Sequence, residues 1–213
     1  VNGDALAAAK ARLSTDLSRR VHRRAMAAHE AQAIQDRVAL GLREWGRLER
    51  CDLFLEAVVE DLAVKHKVFA DAIARGLPAD AIVASNTSSL SIDAMAELLP
   101  HPERLVGIHF FNPPEKMPLV EVVRGRQTSA AAVASACRLA TKLGKYPIVV
   151  QDSPGFLVNR CLAPYLNQAG RLLLDGLSPE AIDRVMLDFG MPMGPCRLLD
   201  EIGFDIAAKV SDT

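Results

Sequence analysis

The sequence predicts an α/β fold: an incomplete doubly wound parallel sheet, followed by the start of an all-helical second domain. Three observations carry this. Short, nearly continuous apolar runs stand at 52–60, 81–84, 105–109 and 146–150, as expected of strands buried on both faces. They alternate with helical stretches at 61–75, 92–99 and 129–143, the arrangement of a parallel sheet with crossover helices. After Val150 no strand pattern appears, only helical periodicity. The boundary is therefore placed near Gln151, giving one domain at 1–150 and a second at 151–213.

The elements follow in order. Residues 3–24 have apolar side chains at Leu6, Ala9, Leu13, Leu17 and Val21, at helical spacing with a basic outer face. That helix is expected to continue through 25–34, and 37–42 reads as a short strand. Run 52–60 is a buried strand. Helix 61–75 puts Val64, Val68, Phe69 and Ile73 on one face and stops at Gly76, before Pro78. Strand 81–84 breaks into Ser85-Asn86-Thr87-Ser88-Ser89, and Ser91 can cap the helix that follows. Strands 105–109 and 119–123 flank Pro113-Pro114, where fixed φ and missing N–H groups force the backbone to extend or turn. Thr128 or Ser129 caps helix 129–143, and 146–150 is the last strand. Asp152 or Ser153 is expected to cap a long helix with Pro154 in its first turn. Ser178-Pro179-Glu180 opens another helix, reaching about Phe189. Met191-Pro192-Met193-Gly194-Pro195 is a sharp break before a further helical stretch.

Composition narrows the function. Of 213 residues half are hydrophobic, so a large core can form, and the formal net charge is −1. That charge gives no argument for nucleic acid or an anionic membrane surface as partner. The longest apolar runs fall short of a membrane span, and no signal peptide opens the chain. Cys51, Cys137, Cys161 and Cys196 are scattered, without metal or redox spacing. They read as buried reduced thiols of a cytoplasmic protein, with no metal. Val1 is not an initiator methionine and Thr213 follows an unfinished helical pattern, so the chain reads as part of a longer polypeptide.

In doubly wound sheets, ligands sit beyond the carboxyl ends of the strands. Polar groups gather there: Glu60 after one strand, Asn86 and Ser88 after the next, His109 and Asn112 after the third. Folding 119–123 back beside 105–109 brings His109 to Glu121, and an imidazole beside a carboxylate is a common general base. A core histidine with an unrelated surface glutamate is the alternative for the pair taken alone. Three strand-end groups in register favour a site.

Together, Ser85-Asn86-Thr87-Ser88-Ser89, His109-Phe110-Phe111-Asn112-Pro113, Pro118-Leu119-Val120-Glu121, the run from Asp152 to Arg160 and Met191-Pro192-Met193-Gly194-Pro195 resemble the 3-hydroxyacyl-CoA dehydrogenase family. The phrasing around Met117–Gly125 is most similar to the dehydrogenase part of bacterial multifunctional fatty-acid oxidation enzymes. The resemblance implies a Rossmann-like NAD-binding domain and a helical substrate or dimerisation domain. It implies His109 and Glu121 as the catalytic pair, and Ser88 and Asn159 as substrate contacts. Cofactor contacts near the nicotinamide ribose fall on Ala57, Glu60, Lys65, Asn86 and Asn112. Without the resemblance, Lys65 reads as a solvated helix lysine. The implied reaction is oxidation of a 3-hydroxyacyl-CoA with NAD in fatty-acid β-oxidation. The implied partners are an acyl-CoA and a second copy of the chain or a multienzyme complex.

One departure stands out. No G-x-G-x-x-G occurs anywhere in the chain, although dinucleotide binding normally uses that turn to approach the pyrophosphate. The acidic residue for the adenosine ribose is missing too. The match places Val1-Asn2-Gly3-Asp4 just after the second strand of the nucleotide fold. The expectation is weak NAD binding by this chain and an exposed sheet edge. The competing readings are a related dehydrogenase of another hydroxy acid, and a non-catalytic assembly piece.

Overall fold

The structure, a computed structural model, describes residues 3–39, 41 and 48–202. By compactness the chain divides into two units, Val1–Glu49 and Arg50–Thr213.

The first unit holds α1 (Gly3–His22) and α2 (Ala28–Arg37). The expected uninterrupted helix is two. Arg24 takes a left-handed backbone with φ 56°, and the N–H groups of Arg23, Arg24 and Ala25 return to the carbonyls of Arg19, Val21 and Arg20. Residues 25–27 are Ala, Met and Ala, good helix formers, so the local sequence does not signal the turn. The expected strand at 37–42 is absent where the structure describes it. Arg37 closes α2, and Val38, Ala39 and Gly41 are not in a strand. Leu40 and residues 42–47, including Trp45-Gly46, lie outside the described residues.

The second unit contains the sheet. Strands β1 (Leu53–Glu56), β2 (Ile82–Ser85), β3 (Leu105–Phe110), β4 (Leu119–Arg124) and β5 (Tyr146–Gln151) lie in sequence order. All neighbours are parallel except β3 and β4. Helices α3 (Leu62–Ala74), α4 (Ile92–Ala96) and α5 (Ala130–Lys142) make the crossovers. Three short polar side chains start them as the sequence requires. Asp61, Ser91 and Ser129 accept from the backbone N–H three residues on, satisfying donors that a helix start leaves free. Two lengths are corrected. The first strand ends at Glu56 rather than at residue 60, and α4 ends at Ala96 rather than at residue 99.

Side chains alternate across a strand, and this sorts the sheet. Val106, Ile108, Val120 and Val122 face α5, whose Ala132, Ala136 and Ala140 form one small stripe against them. Gly107, His109, Glu121 and Val123 occupy the opposite face.

Past β5 come α6 (Val158–Leu174), α7 (Pro179–Phe189) and α8 (Pro195–Ile202). Ser178 caps α7, and left-handed Gly190 ends it. The expected start of α6 is corrected. Asp152 does not cap it. Its Oδ2 instead accepts from Ser91 Oγ at 2.7 Å and from Asp93 N at 2.8 Å, tying the strand end to α4. Pro154 sits in a turn before the helix. Among the described residues, no helix is long and apolar enough to cross a membrane, and no cluster of three His, Cys, Asp or Glu could hold a metal.

Candidate active site

The site begins with the antiparallel pair β3 and β4. Turning at the double proline sets β4 beside β3 with His109 directly opposite Glu121. Opposite residues of an antiparallel pair share a face and stand close. His109 Nδ1 lies 2.7 Å from Glu121 Oε2, and both side chains are buried. The rings of Phe111 and Phe156 flank the imidazole at centroid distances of 4.5 and 5.9 Å.

Glu121 uses its second oxygen too. Oε1 accepts from the backbone N–H of Leu157 at 3.0 Å and of Val158 at 2.9 Å. These are leading N–H groups of α6, which carry partial positive charge. A strand carboxylate thus caps the helix that Asp152 or Ser153 was expected to cap. Burial alone would raise the Glu121 carboxyl, but the His109 hydrogen bond and the two backbone donors outweigh it and hold it below the usual range.

Docking α6 on Glu121 positions Asn159. Its Nδ2 donates to the Ser88 carbonyl at 3.3 Å. The two candidate substrate contacts, 71 residues apart in sequence, are in direct contact.

Ser88 is held from the other side by Glu60. Glu60 Oε1 accepts from Thr87 Oγ1 at 2.6 Å, Ser88 N at 2.8 Å and Ser89 N at 3.0 Å. Glu60 Oε2 pairs with Lys65 Nζ at 3.2 Å. Burial pushes the Glu60 carboxyl up. The Thr87 and Ser88 hydrogen bonds and the Lys65 ammonium more than reverse this, leaving it at about 2. Asn86 Oδ1 accepts from Phe110 N at 2.9 Å, beside His109. Ala57 and Asn112 lie exposed just past β1 and β3.

The solvated reading of Lys65 is wrong. The side chain is 1% exposed, and its Nζ lies 2.8 Å from Glu56 Oε1 as well as against Glu60. A buried ammonium is stable only when paired, and the two carboxylates supply the pairing. The sequence reading missed Glu56 altogether. It is buried and accepts from Lys65, from Ser85 Oγ at 2.6 Å and from Val58 N at 2.6 Å. The available signal was a carboxylate ending the apolar run Leu53-Phe54-Leu55.

Comparison with known proteins follows the same outline. The NAD-binding domain of 3-hydroxyacyl-CoA dehydrogenase matches residues 1–153, and the C-terminal domain of that family matches residues 155–213. The fatty acid oxidation complex subunit alpha of Shewanella halifaxensis is 49% identical over 168 residues, 79% of this chain and 24% of that protein. The chain thus spans about a quarter of the length of such curated relatives. Among solved structures, 3-hydroxybutyryl-CoA dehydrogenase of Escherichia coli K12 superposes with TM-score 0.92 at 38% identity, over 99% of this chain and 45% of that one. The (S)-3-hydroxybutyryl-CoA dehydrogenase PaaH1 of Ralstonia eutropha gives TM-score 0.92 at 36% identity, over 100% of this chain and 75% of that one.

Proposed function

The chain belongs to the 3-hydroxyacyl-CoA dehydrogenase family, and on that premise we propose that the protein oxidises an L-3-hydroxyacyl-CoA to the 3-ketoacyl-CoA with NAD, as a step of fatty-acid β-oxidation. The buried His109–Glu121 pair carries this reading. His109 presents Nδ1 to Glu121, which leaves Nε2 as the atom that takes the hydroxyl proton of the substrate. Glu121 fixes the tautomer and stabilises the imidazolium once that proton arrives. Ser88 and Asn159, already in contact, hydrogen-bond the substrate oxygen and hold the reacting carbon in place.

NAD, when bound, accepts the hydride. The donor set at the carboxyl edges of β1, β2 and β3 fits the nicotinamide side. Asn86 keeps its Nδ2 hydrogens out of its bond to Phe110, Glu60 is an ionised carboxylate at the mouth, and Ala57 and Asn112 are exposed. Lys65, fully enclosed, would serve the cofactor through Glu60 rather than by touch.

We take residues 1–150 as the nucleotide-binding part and 151–213 as the start of the helical part. The helical part would provide contacts to a second copy or to a multienzyme complex, in keeping with relatives named as subunits of a fatty acid oxidation complex. The setting we propose is cytoplasmic.

His109→Gln in the full-length protein is the deciding experiment. Oxidation of 3-hydroxyacyl-CoA should fall by about 10²–10⁴-fold, with NADH binding by calorimetry little changed. Near-normal turnover would overturn the assignment. Comparing acyl-CoA with free hydroxy-acid substrates tests the substrate class.

A further inference from the structure

Besides the His109–Glu121 pair, the described residues bury a second charged pair, Lys65 with Glu56. Lys65 Nζ sits between two carboxylates, 2.8 and 3.0 Å from the oxygens of Glu56 and 3.2 Å from Glu60. Neither Glu56 nor Lys65 can touch a ligand, since the side chains are 0% and 1% exposed.

What those carboxylates hold is the segment that carries Ser88. Glu56 Oε2 accepts from Ser85 Oγ, and Ser85 Oγ in turn accepts from Thr87 N at 3.2 Å. Glu60 Oε1 accepts from Thr87 Oγ1, Ser88 N and Ser89 N. The root of the segment hangs on one carboxylate and its tip on the other, and a single ammonium joins the two. The segment contains no glycine or proline to set its shape, so its shape rests on these bonds together with those of Asn86 to Glu56 O and Phe110 N and of Thr87 Oγ1 to Leu90 N. Its outward product is the placement of Ser88, whose carbonyl meets Asn159.

We propose that Glu56 is a positioning residue for Ser88, acting through Ser85 at the root of the segment and through Lys65 and Glu60 at its tip. This rests on the reading of Ser88 as a substrate contact. Burying Glu56 and Lys65 beside the partly exposed Glu60 costs desolvation that only good geometry repays, and the contacts of 2.8 and 3.2 Å that Lys65 makes with the two carboxylates meet that condition.

The test is a double-mutant cycle of Glu56→Gln and Ser88→Ala in the full-length protein. The readout is kcat for 3-hydroxyacyl-CoA oxidation at saturating NAD, so that a change in cofactor affinity does not enter. Gln keeps the volume but offers one acceptor oxygen where the structure uses two. Glu56→Gln should lower kcat about tenfold in the wild-type background and less than about twofold in the Ser88→Ala background, because residues acting through one another are not additive. Equal losses in both backgrounds, or an unchanged kcat, would overturn the proposal while leaving the role of Ser88 intact. Unchanged turnover in Ser88→Ala alone would overturn both. Should Glu56→Gln fail to fold, Ser85→Ala enters the same cycle with the same criteria, since it removes the root bonds of Ser85 to Glu56 and Thr87 and leaves the Glu56–Lys65 pair.

Discussion

Glu121 is used at both oxygens, so its loss should show in two measurements. Glu121→Gln keeps one acceptor oxygen of the two but cannot serve His109 and the α6 amides as an anion. Turnover should drop by about 10²–10⁴-fold, and urea unfolding should show a loss of about 1–3 kcal/mol, the cost of leaving buried donors unpaired. Glu60 gives a pH signature. Its carboxyl falls from 4.5 to about 2 on folding. The unfolded chain therefore binds more protons between those values, and the stability Glu60 contributes is complete above about 4.5 and lost as pH falls toward 2. Urea unfolding across that window should show a steeper decline for wild type than for Glu60→Gln. At this scale the sequence was half readable. His109 and Glu121 could be brought together by folding 119–123 back across the double proline, and it took the neighbouring strand-end groups to favour that over a core histidine with an unrelated glutamate. Lys65 could not be read, because its environment is made by Glu56 and Glu60, and side-chain spacing along a helix says nothing of what the preceding strand points at it.

Among the elements, the antiparallel step from β3 to β4 matters most, and Gly107 shows how tight it is. A Cβ there would stand 2.7 Å from Val123 Cβ and 3.0 Å from Ile92 Cδ1. Gly107→Ala should cost about 1–3 kcal/mol through overpacking, read as a lower urea midpoint with unchanged slope. Element types in the second unit were legible because apolar runs and helix-start signals agreed there, as at Ser91, Ser129 and Ser178. Their ends were less so. The start of α6 is set by Glu121, 36 residues upstream of Leu157, and no local motif encodes a cap supplied from another strand. The division between α1 and α2 has no propensity signal at all.

For the whole molecule, the sheet edge carries the residues proposed for the nicotinamide side, yet the chain has no G-x-G-x-x-G. Calorimetry should find NADH bound much more weakly by residues 1–213 than by a family member that carries such a turn; equal affinity would refute the expectation. The α/β class and the helical run after β5 were visible in periodicity alone. Beyond the β3–β4 pair, the ordering of the strands was not, since strands joined through crossover helices carry no local signal of which neighbours pair. The capping of α6 by Glu121 also bears on how the protein breathes. Leading helix amides normally exchange their hydrogens quickly, because nothing holds them. Those of Leu157 and Val158 are clasped by a carboxylate rooted in the middle of the sheet. In deuterium their clock should run with the amides of β4, so that the front of α6 opens only when the sheet does.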